Sequence, residues 1–134
     1  MNDIDAAIYT TLSAGTSLTS MLANTNSIYH IRAPNAVPFP YVVFSLQAGG
    51  PENVTPSDMG SYLYFIRAYS ATSAANAGAI HKEIRDLLHR KTLTISGYTN
   101  YWTVLESEQE FSEEEPNVTP VFMSGGLYRI KIDS

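Results

Sequence analysis

One stretch of this chain, from about Ala74 to Lys91, has the apolar spacing of a long helix, and it is the only helix that falls between strand-like segments. That restricts the fold. A doubly wound parallel sheet needs a crossover helix between most of its strands. A chain with one such helix is expected to fold as α+β, with its helices packed against a mostly antiparallel sheet. Thr72 or Ser73 can cap this helix. Its buried stripe is Ala77, Ile80, Ile84, Leu87 and Leu88, with Lys82, Arg85, Asp86 and Arg90 opposite.

The flanking segments fill in the rest. Asp3 can cap a first helix with Ile4, Ala7, Ile8 and Leu12 at helical spacing, ended by Gly15. Thr16 or Ser17 can cap a second, shorter helix carrying Leu18, Met21 and Leu22. Ser27 to Ile31 reads as a short extended piece. In Arg32 to Pro40 three prolines forbid a helix and favour a stiff extended crossing. Tyr41 to Leu46 is β-branched and aromatic, so it is a strand, with Val42, Phe44 and Leu46 on its more apolar face. Gln47 to Gly60 holds Gly49, Gly50, Pro51, Pro56 and Gly60 and reads as a long loop. Ser61 to Tyr69 is apolar on both faces, as a central strand would be.

After the long helix, Lys91 to Ile95 leads into a short strand and Ser96 to Asn100 turns. A strand follows from about Tyr101 to Phe111, then an acidic turn from Ser112 to Asn117. The last strand runs from about Val118 to Ile132, with a bulge or bend expected at Gly125-Gly126. The expectation is one domain, residues 1–134. It is an α+β fold with a mostly antiparallel, twisted sheet of about four to five strands and two or three helices on one face.

Composition bears on what such a domain can do. Charged residues make up only 16% of the chain, below the roughly 25% usual for soluble domains. A surface rich in Ser, Thr, Asn, Tyr and Ala tolerates burial against a partner better than one covered in Lys and Glu. The net charge of −5 argues against nonspecific phosphate binding. The absence of cysteine excludes disulfides and thiolate chemistry and fits synthesis in a reducing cytoplasm. The N-terminus lacks the basic region of a signal peptide, and no apolar run approaches the roughly 18 residues of a membrane span.

No catalytic, cofactor-binding or metal-binding set is expected. His81, Arg85 and His89 form a ridge along the long helix, read as a polar face because the two histidines are too far apart to share a metal ion. There is no nucleophile elbow and no glycine-rich phosphate loop. The uneven feature is charge. Six of the thirteen carboxylates fall between Glu106 and Glu115, and Glu106, Glu108 and Glu110 alternate as if on one strand face. Five of the eight bases lie between Arg67 and Lys91. Opposite charges on separate elements suit head-to-tail contact between identical subunits.

Four stretches together resemble the tail-completion, or tail terminator, family of long-tailed phages, which joins tail to head. They are the two N-terminal helices, IYHIRAPNAVPFPYVVFS, YLYFIRAYSATSAANAGAIHKEIRDLL and the closing GGLYRIKI. The second carries the pattern at Tyr29, Pro34, Pro40, Tyr41, Val42 and Val43. The resemblance implies a virion protein, made in the host cytoplasm, that assembles as a homo-oligomeric ring, usually hexameric, at the head-proximal end of the tail. Such a ring terminates tail-tube polymerisation, meets the tail tube protein on one side and the head–tail connector on the other, and passes DNA through its lumen without specific binding. The residues expected at subunit or partner contacts are Gln47, Glu52, Asn53 and Asp58 in the loop, the bases Arg67, Arg85 and Arg90, and the acids Glu108, Glu110, Glu113, Glu114 and Glu115. Two alternatives stay open: a head–tail connector or neck ring subunit, and a small cytosolic ligand-binding or enzymatic domain.

Overall fold

The computed structural model describes residues 2–34, 37–52, 59–113 and 120–133, leaving aside the side chain of Glu113. Helix α1 (Asn2–Ser13) and the single turn α2 (Thr16–Thr19) precede strands β1 (Ile28–His30), β2 (Tyr41–Pro51) and β3 (Met59–Ser70). Helix α3 (Ala74–Leu88) follows, then β4 (Thr94–Ile95), β5 (Tyr98–Glu113) and β6 (Val121–Asp133). The strands form one six-stranded sheet in the order β1-β2-β3-β6-β5-β4. Only the β1–β2 pair is parallel, and every other neighbour is antiparallel.

Alternation along the central strands explains which way the sheet faces. Val42 and Phe44 on β2, Tyr64, Ile66 and Ala68 on β3, and Tyr128, Ile130 and Ile132 on β6 are all buried in one cluster with Ile4, Ile8 and Leu12 of α1 and Ile80, Ile84 and Leu88 of α3. Burying each large aliphatic side chain contributes about 2 kcal/mol, so this layer is what holds helices and sheet together. Ser73 caps α3 as read, its hydroxyl accepting the Asn76 N–H at 3.0 Å. Among the described residues no helix covers the opposite face of the sheet. Leu63, Phe65, Arg67 and Tyr69 of β3 and Leu127, Arg129 and Lys131 of β6 lie on it, all half-buried.

Several expectations change. The sheet has six strands and not four or five, because the short extended piece at residues 27–31 pairs with β2 as a three-residue edge strand, β1, beside the short strand read before Ser96. The long loop shrinks: β2 continues to Pro51 through a register shift between Leu46 and Ala48, and β3 begins at Met59. Pairing with β3 overrides the weak strand preference of Gly49, Gly50 and Pro51. Leu46 keeps its place opposite the buried Tyr64, on the face read for it, yet is 40% exposed. Gly15, and neither Thr16 nor Ser17, stands at the N-cap of α2, and Asp3 lies inside the first turn of α1. α3 stops at Leu88.

Gly125 and Gly126 sit in an unbroken register with β3, so the bulge or bend expected there is absent. Their role is clearance. A Cβ on Gly125 would stand 2.6 Å from the Cβ of Arg67, and one on Gly126 would meet the Leu105 side chain and stand 2.8 Å from the Ser107 carbonyl. The register shifts lie instead in β5, between Asn100 and Trp102 and between Leu105 and Ser107.

Candidate interaction surface

Three surfaces concentrate the exposed chemistry, and the bulges of β5 create two of them. At the first bulge Asn100 is 3% exposed and uses all of its hydrogen-bonding capacity. Its Oδ1 accepts the Leu93 N–H at 2.8 Å and the Thr103 hydroxyl at 2.9 Å. Its Nδ2 donates to the carbonyls of Trp102 (3.1 Å) and Lys131 (3.0 Å). This anchor leaves Tyr101 and Trp102 46% and 44% exposed. The segment after α3 runs alongside, with the Arg90 N–H donating to the Thr103 carbonyl at 2.7 Å. Arg90 takes a positive φ of 61° there. Between His89–Thr92 and Tyr101–Val104 lies an open groove of about 500 Å³, with Arg90 and Lys91 on one wall and the two aromatics on the other.

His89 fixes the inner end of that groove. Its Nδ1 accepts the Leu105 N–H at 2.9 Å, which requires an unprotonated nitrogen. Loss of solvation, and then the charges of Arg85 and Arg90, lower its pKa below the ordinary imidazole value.

The second surface is the acidic length of β5. The bulge between Leu105 and Ser107 breaks the expected alternation. Glu106 turns to the open face and bonds Arg129 at 3.0 Å, whereas Glu108 faces α3 and meets His81 at 3.0 Å. His81 is therefore buried at the helix–sheet seam and is not part of a solvated polar ridge. Glu110 is exposed beside Phe111, itself 45% exposed.

The third surface is the open sheet face. Tyr29, Phe39 and Tyr69 cluster around Tyr41 there, with ring centroids 5.9 Å (edge-on), 4.9 Å (stacked) and 5.3 Å (tilted) from it. Arg67 lies 4.8 Å over the Phe65 ring, and its guanidinium donates to the Tyr69 hydroxyl (2.9 Å), the Ser45 hydroxyl (3.2 Å) and the Ile31 carbonyl (3.4 Å). So placed, Arg67 is a flat, internally bonded plate on the surface.

The expected contact residues are thus spread over the molecule. Gln47 is exposed at the irregularity in β2, and Glu52 pairs with Lys131 at 3.5 Å. Asn53, Asp58, Glu114 and Glu115 lie outside the described residues, as does the side chain of Glu113. Arg85 is exposed on α3 and shares a shallow groove with Glu106 and Glu108. Arg90 lines the edge groove. Sequence reasoning passed over Tyr101, Trp102 and Lys91 as a site, although a Tyr-Trp pair next to a turn was the available signal. Among the described residues no group of His, Asp and Glu is arranged to hold a metal ion.

Residues 6–124 match the family of tail completion protein gp17. The chain belongs to that family. Its members' designation makes it a structural protein of a phage tail, as the resemblance implied. A chain of the solved virion of a native gene transfer agent (GTA) particle is similar in fold, with a TM-score of 0.77 over 99% of this chain and 96% of that one, at 16% identity. No curated protein matches the sequence.

Proposed function

We propose that this tail completion protein forms a ring, six copies being the expected number, at the head-proximal end of a long phage tail. There it terminates the tube and joins it to the head connector. The family match over residues 6–124 carries the reading. The likeness in fold to a chain of a gene transfer agent virion supports it, because that chain works inside an assembled particle.

The geometry supports it in a second way. Pro51 pairs with Gly60 and Met59 with Asp133, so the β2–β3 connection leaves the sheet where β6 ends and β5 begins. Glu113 pairs with Val121 and Ser70 with Phe122, so the β5–β6 connection leaves at the opposite end. A subunit whose two hairpin connections leave at opposite ends of the sheet can meet different neighbours at each end. The net charge of −5 suits a lumen through which DNA slides without adhering.

Particles assembled without this chain are the test. Electron micrographs should show tubes beyond normal length and heads without tails, and re-supplying the chain should restore joined particles with a ring at the joint. Tubes of normal length already joined to heads in its absence would refute the reading.

A further inference from the structure

The edge groove and the acidic end of β5 are complementary, and they belong to every copy. We infer that the groove between Arg90–Lys91 and Tyr101–Trp102 receives the Glu110–Glu113 end of β5 from a second copy of the chain. The inference rests on the ring reading above and names the contact that builds the ring.

Three observations carry it. The signs are opposite: two cations line the groove, and the strand end it receives has exposed Glu110 and continues in sequence through Glu113, Glu114 and Glu115. The apolar parts also correspond, since Phe111 beside Glu110 is 45% exposed and the groove presents Tyr101 and Trp102. Aromatic pairs of this kind add to the area they bury. Finally, one molecule cannot satisfy itself. From Thr103 to Glu113 β5 extends about 30 Å at roughly 3.3 Å per residue, so groove and acidic end stand far apart on the same strand. Each copy then offers one donor surface and one acceptor surface, the requirement for a heterologous contact that repeats and can close. Single-stranded DNA is the competing occupant for a groove with cations and aromatics, but two cations on a chain of net charge −5 make a poor phosphate track.

The chain's one tryptophan, Trp102, lies in the groove and reports its occupancy directly. In the full-length protein, Trp102 emission should shift to shorter wavelength as concentration rises and copies associate, with less association at high salt. Two variants divide the contact: Glu110→Gln with Glu113→Gln, and Arg90→Asn with Lys91→Gln (Asn tolerates the positive φ). Each alone should self-associate roughly tenfold more weakly or worse. Mixed, they should form dimers and nothing larger, because only one of the two contacts is intact. Circular dichroism of each variant checks that it is folded.

Wild-type association that leaves Trp102 emission unmoved would overturn the inference. So would variants that associate like wild type, a wild-type chain that stays monomeric at every concentration, or Trp102 answering to single-stranded DNA and not to self-association. The tail role is judged separately. If particles lacking the chain overrun and both variants fully restore joining, the groove contact is wrong and the tail role stands.

Discussion

His89 and His81 show how much a single position depends on what lies across from it. Both read as part of one polar helix ridge. In the fold His81 is buried against Glu108, and His89 accepts a backbone hydrogen bond from β5. Helical spacing fixes which residues share a face, but not which strand packs on that face. The same limit hid the switch at Glu106, because strict alternation was assumed through a bulge that has no residue signature of its own. His89 also gives the fold a pH dependence with a definite sign. Its folded pKa is depressed, by lost solvation first and then by Arg85 and Arg90, so the unfolded chain takes up the proton more readily. The contribution is therefore complete above the unfolded value of about 6.5 and is lost as pH falls below it. Thermal unfolding followed from pH 7 downward should show a smaller acid-induced drop for His89→Asn, which keeps an acceptor for the Leu105 N–H, than for wild type. Equal drops would remove His89 from the account.

Among the elements, α3 was the most legible, since its cap and buried stripe follow local rules that the tertiary structure did not override. Leu87 is the one stripe residue left half-buried. Ser73 is the chief local determinant of where α3 begins. Its hydroxyl satisfies the Asn76 N–H, while the Asn76 side chain accepts from the Ser70 hydroxyl at 2.6 Å. Ser73→Ala should cost about 1 kcal/mol in urea unfolding, and Ser73→Asp should recover most of it. A Ser73→Ala protein as stable as wild type would show the cap to be dispensable. Strands were read less well. Tyr41–Leu46 carries its own signal, but Gln47–Pro51 becomes strand only because β3 lies alongside, and no local propensity announces that.

At the level of the whole molecule, fold class and helix placement followed from the order of elements. The strand number did not, because three extended residues at β1 do not reveal by themselves that they pair with β2. The sheet order places β3 and β6 at the centre, each paired along nearly its full length on both sides. Amide exchange should therefore be slowest in the middle of β3 and β6 and fastest in β1 and β4. Slow exchange in β1 or β4 combined with fast exchange in β6 would contradict this sheet order. The interaction surfaces were legible only in part: the surplus of acids is plain in sequence, whereas Arg129 and Lys131 engage Glu106 and Glu52 from a strand far along the chain.

The two bulges of β5 have a consequence for counting. A bulge bends its strand and sharpens the local twist, and both of these lie at or between the groove and the acidic end. Under the proposed contact they therefore set the angle between the direction in which a copy offers its strand end and the direction in which it accepts another. In a head-to-tail assembly that angle, and not the strength of the joint, decides how many copies go round before the circle closes. Removing the extra residue at Glu106 would redraw the angle, and the size of the circle with it.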